Sequence, residues 1–410
     1  MKFGVQNFHG RRLTEARLAR GLFKKALAEK IGVSAVAIGR YEDCLDNPQH
    51  DKLRQIAEQL DFPVEFFLRP AWSEELELVF WRHRSSETKY AREMTEQRMR
   101  WLCELFFFLE EEVDFPALKL PKIDLPSDFR LINSEMIEDI ALRVRHHWGL
   151  RELPIPDVTL ALENAGIPVV NLQINSEKQD GFCFRSKALE RPFVGINVYN
   201  ISSARARFDA AHELGHIILH RQVTPRESQD PLLHKLLEQQ VHRFAGAFLF
   251  PRSSFMREVG APTLYYFCDL KRRWGMSIAA MIYRAFDLGV IDEQEKSALY
   301  HNMARRHWRG VLREPFDSVE DMPLERPRML RRALELVVES GTFGRSAIRS
   351  SLSLPQGEIE QLAGVEVGFL SEADVVSLVA PKQRNAFRTL DLETGEVIEF
   401  RGASKRPSSG

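Results

Sequence analysis

Phe208-Asp-Ala-Ala-His212-Glu213-Leu214-Gly215-His216-Ile-Ile-Leu-His220 is the stretch from which the rest of the chain is best read. Placed on a helix, His212 and His216 project one above the other, so two imidazoles can reach a single ion at about 2.0–2.1 Å from each nitrogen. Glu213 then stands beside the pair. A carboxylate at that position can take a proton from a water acidified by the ion and pass it to a departing amine. His220 continues the same helical face and reads as a group that supports a ligand or caps the helix.

This is the HExxH spacing of metal-dependent peptidases, which leaves a tetrahedral zinc one protein ligand short. A Glu or Asp on a following helix is the usual supply. After a loop with Pro225 and Pro231, Leu232 to Phe250 forms an amphipathic pattern (Leu233, Leu236, Leu237, Val241, Phe244, Ala245, Phe248) ended by Pro251. Glu238 borders that apolar stripe, where a carboxylate needs a partner. On the residues alone, Glu227, Asp230 and His220 stand as alternatives. His242, four positions after Glu238, is a candidate to orient that carboxylate or to contact a tetrahedral intermediate. The same ligand types admit manganese or iron as well as zinc.

Upstream of the helix, Ile167–Leu172, Gly181–Phe184 and Phe193–Asn197 are short β-rich runs that predict a small sheet. An extended substrate segment is expected to add near Gly181–Phe184, because backbone pairing holds a chain without demanding particular side chains. Arg185, Asn197 and Arg207 lie close enough in sequence to be substrate-contact candidates. Helices are expected over Ile137–Trp148 and Val158–Ala165, and Pro116, Pro121 and Pro126 mark a linker between Phe115 and Asp128. Trp72–Phe115 reads as helical throughout. Toward the N-terminus, four short apolar stripes over residues 11–68, punctuated by Gly21, Gly32 and Asn47-Pro48, predict a compact helical unit.

The expected fold is α+β and mostly helical. Its divisions are residues 1–70, a helical bundle; 71–127, a helical connector and linker; 128–314, the domain holding the HExxH stretch; 315–380, a helical C-terminal unit; and 381–410, a hairpin flanking Glu393-Thr394-Gly395 and a disordered tail. Apolar residues make up 44% of the chain, enough for several cores, and the near balance of 57 basic and 58 acidic residues excludes a polyelectrolyte. Charge is unevenly spread: Met1–Arg40 holds nine Lys and Arg against two Glu. Four well-separated cysteines and an opening without an apolar signal core point to a reducing, cytoplasmic setting, and no segment reads as membrane-spanning.

Residues 128 to about 310 resemble the ImmA/IrrE (DUF955-type) metallopeptidases, whose HExxH is followed by a helix of the form E-x-x-A-N-x-F-A-x-x-L-L-x-P. That second half stands here as Glu238-Gln-Gln-Val241-His242-Arg243-Phe244-Ala245-Gly-Ala-Phe248-Leu249-Phe250-Pro251. Val241 replaces the usual Ala and His242 the usual Asn. The resemblance implies a gluzincin-like fold, Zn2+ held by His212, His216 and Glu238, and Glu213 as general base. Residues 11–68 resemble the XRE/Cro-type helix-turn-helix, with Ala28, Gly32 and Ile38 at its small, turn and core positions and Ser34–Glu42 as recognition helix. That implies DNA contacts from Lys24, Lys25, Ser34, Ala35, Ala37 and Arg40. Lysines suit phosphates, whereas the alanines have no side-chain donor or acceptor for base edges.

The combined layout implies a cytoplasmic protease that cleaves a repressor or antitoxin-like protein partner in a stress, phage or mobile-element response. Helix-turn-helix proteins commonly engage two half-sites, so a homodimer is expected. Two other readings stay open: a DNA-binding regulator whose metal site is structural or inactive, and a sensor or scaffold that binds a partner without chemistry.

Overall fold

The computed structural model describes residues 4–72, 76, 79–83, 89–173, 179–371, 386–390 and 397–401. It is an α+β protein, mostly helical. Two compact units divide it, residues 1–372 and 373–410.

The larger unit opens with α1 (Gly10–Ala19), α2 (Lys24–Ile31), α3 (Ala35–Glu42) and α4 (His50–Leu60). Between α2 and α3, Gly32 takes the left-handed conformation (φ 67°) that ends one helix, and the Ser34 hydroxyl caps the next by accepting from the Ala37 amide at 3.1 Å. Then come β1 (Phe80–His83), α5 (Lys89–Glu110), α6 (Ser134–His147), α7 (Val158–Asn164), β2 (Val169–Leu172), β3 (Gln179–Ser186) and β4 (Arg191–Asn197). They lead into α8 (Ser203–Leu219), α9 (Pro225–Gln229), α10 (Pro231–Leu249), α11 (Arg252–Glu258), α12 (Leu264–Trp274), α13 (Ile278–Asp287) and α14 (Glu293–Arg305). After an irregular stretch, α15 (Met329–Glu339), α16 (Arg345–Leu352) and α17 (Gln356–Ala363) finish the unit.

One four-stranded sheet organises the whole, in the order β1-β3-β4-β2. β2 runs parallel to β4, and the other two pairings are antiparallel. Alternation sends Val169, Cys183, Val194 and Ile196 to one face, into a core shared with α6, α8, α10, α12 and α13. Val170, Leu172, Phe182, Phe184 and Phe193 go to the other, into a core shared with α1–α5 and α15–α17. Burial on both faces explains why the strands read as apolar runs. Gly195 makes the second face tight, since a Cβ there would lie 2.1 Å from the ring of Phe182, its cross-strand partner. The central peg on this side is α5, whose fully buried Trp101 meets Phe62 and Phe66 at ring separations of 5.5 and 6.2 Å.

One expectation changes. Phe80–His83, inside the stretch expected to be helical, is a strand, and it makes the sheet four-stranded rather than three. Its pairing partner lies about a hundred residues on, and no local periodicity reports such a contact. The segments set apart at the prolines and at residue 315 also share cores across those points: helices from residues 1–70, α5 and α15–α17 all pack on the far face of the sheet. In the smaller unit, β5 (Ala386–Leu390) and β6 (Val397–Arg401) form an antiparallel pair. The turn between them and the tail expected to be disordered lie outside the described residues.

Candidate metal centre

Helix α8 is capped by the Ser202 hydroxyl, which accepts from the Arg205 amide at 3.3 Å, and it is buried almost all round between the sheet and α10. Gly215 permits the close approach of α10, because a Cβ there would stand 3.1 Å from Val241 and from Phe244. In turn α10 is set by Asp230, whose carboxylate accepts from the Leu232 and Leu233 amides, and by Pro231 in its first turn. Glu227 forms a capping box with Thr224. Both alternative acids therefore serve helix ends.

Glu238 is the acid that meets the histidines. Its two carboxylate oxygens lie 3.4 Å from His212 Nε2 and 3.4 Å from His216 Nε2, and the three residues offer ligand atoms all within 4.8 Å of one another. Each imidazole thus faces its own oxygen of one carboxylate, close to the roughly 3.3–3.4 Å at which neighbouring ligands about 2.0–2.1 Å from one ion stand, and the three residues could hold a divalent ion. The chemistry agrees: His216 Nε2 and Glu238 Oε1 are buried without a conventional hydrogen bond. Burial alone raises the Glu238 carboxyl, but the two imidazoles overcome that and hold it well below the usual carboxylate range, ionised as a ligand must be.

The nitrogen that His216 presents is chosen by a relay. Gln240 Nε2 donates to the carbonyls of Phe129 (2.8 Å) and Ile132 (3.0 Å), which leaves its Oε1 to accept from His220 Nε2 at 3.0 Å. With its proton on Nε2, His220 accepts at Nδ1 from His216 Nδ1, 3.0 Å away. His216 then has its lone pair on Nε2, facing the cradle. Burial pushes His220 down to about 3, with the neighbouring His216 adding to the effect, so it serves as a neutral acceptor.

Glu213 is fully buried against β3: a Cβ on Gly181 would stand 3.1 Å from its Oε1. Cys183 lies beside it, its thiol pushed well up by burial and by the charge of Glu213. Phe80 of β1 stacks on His216, with ring centroids 4.4 Å apart and 17° between planes. Sequence reading named Gly181 and Cys183 only as part of the expected substrate strand Gly181–Phe184, and missed Phe80 and Gln240; Gln240 carried a local signal, a polar residue two positions past the candidate ligand on a buried face. His242 sits between the rings of Phe208 (4.8 Å) and Tyr283 (4.9 Å).

The other expected contacts are placed differently. Arg207 is buried and binds Glu325 and the Ile155 and Pro156 carbonyls, fastening the irregular segment before α15. Asn197 is buried and accepts from the Tyr199 amide at 3.1 Å in the turn after β4. Neither reads as a substrate contact, because each holds backbone next to its strand or helix. Arg185 is exposed and lines a cavity of about 440 Å³ with Phe80, Cys183, His216, His220 and Arg221. The β3 edge expected to accept a substrate strand is taken by β1.

In the N-terminal helices, Lys24 pairs with Glu42 at 3.0 Å and Arg40 with Asp46 at 2.5 Å, while Lys25 is 82% exposed. Ser34 and Ala35 are exposed and Ala37 half-buried on α3.

Residues 162–286 match the family model described as the IrrE N-terminal-like domain of the peptidase M78 type. This segment, spanning α8, α10 and the strands β2–β4, is thus of metallopeptidase-family type. No curated protein matches the chain. Among solved structures, Bacillus thuringiensis PlcR in complex with the peptide PapR7 and DNA aligns over 72% of this chain and 92% of its own, with 13% identity and a TM-score of 0.14, a likeness that carries no structural argument. Among the described residues, no helix is long and apolar enough to cross a membrane.

Proposed function

We propose that the chain is a zinc-dependent endopeptidase in which His212, His216 and Glu238 hold the metal and Glu213 is the general base. The observation that carries this is the meeting of ligand atoms from His212, His216 and Glu238, within 4.8 Å of one another, beside a buried carboxylate. A divalent ion there supplies acidity to a water and polarises the carbonyl to be cleaved. Glu213, walled by Gly181 and Cys183, receives the proton of the water whose oxygen bonds to the carbonyl carbon, and delivers it to the amine nitrogen as the C–N bond breaks. The relay from Gln240 through His220 keeps His216 in the tautomer that offers Nε2. His242, set between the rings of Phe208 and Tyr283, is the candidate to contact a tetrahedral intermediate.

The substrate class is a protein partner, of repressor or antitoxin-like kind, met in a cytoplasmic stress, phage or mobile-element response. Residues 1–70 act in this reading as an XRE-type module that brings the peptidase to DNA through Lys24, Lys25, Arg40 and the face of α3 bearing Ser34, Ala35 and Ala37, as a homodimer across two half-sites. The turn at Gly32, the Ser34 cap and the buried Ala28 and Ile38 support it.

Mapping of new protein N-termini in a lysate exposed to the zinc-loaded chain tests the proposal whichever protein is cleaved. Glu213→Gln should keep its zinc and lose about 10²–10⁴-fold in the rate at which new termini appear. The same termini at the same rate from Glu213→Gln would refute a hydrolase and leave a regulator with a structural metal.

A further inference from the structure

Resting on the peptidase reading, we infer that β1 is a tethered occupant of the peptide-docking edge of the sheet, an autoinhibitory strand that an extended substrate must displace. An edge strand offers one row of amides and carbonyls, and an incoming peptide pairs with that row or not at all. On β3 the row beside the cradle is taken: Phe80 pairs with Cys183 and Arg82 with Gly181. Those two β3 residues are the ones in contact with Glu213. Whatever lies along them therefore runs past the proposed base, and here the chain's own backbone does.

Three further observations set β1 apart from a permanent fourth strand. It lies outside residues 162–286, so the metallopeptidase-type segment contains β2, β3 and β4 without it. It is four residues long, and its register with β3 slips between Arg82 and His83, which makes it a weakly held edge. Finally, Phe80 covers a ligand, stacking on His216 and lying 5.8 Å from the ring of His220. Beside it the cavity of about 440 Å³, with Cys183 and His216 in its wall and Arg185 and Arg221 among its lining, offers room for a side chain of a displacing peptide. If the competent state is the fraction with β1 released, peptide affinity falls by that fraction, and loosening β1 restores it.

The test uses the full-length zinc-loaded chain carrying Glu213→Gln, so that bound peptide survives, and a fluorescein-labelled peptide of the sequence Val-Phe-Trp-Arg-His-Arg, copying residues 79–84, followed by anisotropy. Phe80→Ala removes the stacked ring, and Arg82→Pro removes a backbone donor and restricts the strand. Each should bind the peptide at least tenfold more tightly than the parent. Equal affinity for parent and Phe80→Ala, with the variant's circular dichroism matching the parent's, would overturn the inference even if Arg82→Pro does not fold. A second arm keeps Glu213 and measures hydrolysis of unfolded casein. Faster cleavage by the β1 variants supports both readings. Tighter peptide binding with the same new N-termini in the lysate from the β1 variants with and without Glu213→Gln keeps the displaceable strand and refutes the peptidase, whereas equal cleavage by wild type and both variants refutes autoinhibition and leaves the peptidase standing.

Discussion

The metal cradle and the N-terminal helices both concentrate charge, and they treat it in opposite ways. In the cradle Glu238 stays ionised against two imidazoles, with His216 Nε2 and Glu238 Oε1 lacking ordinary hydrogen bonds. Around α1–α3 several cations are closed off by acids. Arg12 binds Glu15 and Glu104, Arg17 and Lys24 bind Glu42, Arg20 binds Glu358, and Arg40 binds Asp46. The first arrangement offers a group of ligand atoms that could hold a cation; the second holds helices to one another and to α5 and α17. The presence of charge does not mark a site. Whether the surrounding protein neutralises it does.

Deleting one acid from each region breaks the comparison most sharply. Glu238→Ala should lower zinc affinity by more than the ~10–100-fold that loss of an outer hydrogen-bond partner costs, since it removes a ligand outright. Its metal-free form should melt close to the wild type, and the rise in melting temperature on adding zinc should vanish. Metal content and thermal scans with and without zinc check both. Glu42→Ala should do the reverse. Arg17, 8% exposed and paired with Glu42 at 2.5 Å, would be left buried without its carboxylate, at a cost of about 3 kcal/mol in denaturant unfolding, while zinc content stays unchanged. Equal effects of the two substitutions on metal-free stability would erase the distinction.

Gln240→Leu sharpens the cradle side with a smaller effect. Leucine keeps the helix and much of the volume but cannot accept from His220, so the tautomer of His216 is no longer fixed. Zinc affinity by chelator competition should fall about 10–100-fold, with Glu238 and His212 still in place. Gln240→Glu tests the same link, because the carboxylate still accepts from His220 but loses the donors to Phe129 and Ile132. It should recover part of the affinity. No change in either variant would mean that the relay does not orient the ligand.

These contrasts also explain what the sequence could disclose. His212, Glu213 and His216 stand out along the chain because one helical turn relates them, whereas Glu238 shares its place there with Glu227, Asp230 and His220 and is singled out only by the family resemblance. Strands β2, β3 and β4 show in their apolar runs, and α15 in its periodicity. What escapes a reading along the chain depends on distant partners: β1 pairing with β3, Gln240 reaching carbonyls more than a hundred residues upstream, and Arg207 fastening Glu325. Part of the basic surplus of Met1–Arg40 is matched by acids beyond that window, Glu42, Asp46, Glu104 and Glu358, which a count along the chain does not pair with it.

The smallest effect separates two adjacent lysines. Both suit phosphate contact by residue type, yet Lys24 is committed to Glu42 at 3.0 Å and 44% exposed, whereas Lys25 is 82% exposed and meets Glu29 only at 4.0 Å. A lysine that contacts phosphate releases counterions, and each such contact contributes about −0.9 to the slope of log affinity against log salt on duplex DNA. If the N-terminal module binds DNA, Lys25→Ala should make that slope shallower by about 0.9, read by anisotropy on a labelled duplex across a salt series. Lys24→Ala should change it less, because DNA must first draw the ammonium away from a buried carboxylate that also anchors Arg17. Equal changes would show that Glu42 releases Lys24 on binding. No change in either would remove the α2 lysines from the interface and leave α3, with Arg40 tied to Asp46, short of cations to hold a phosphate.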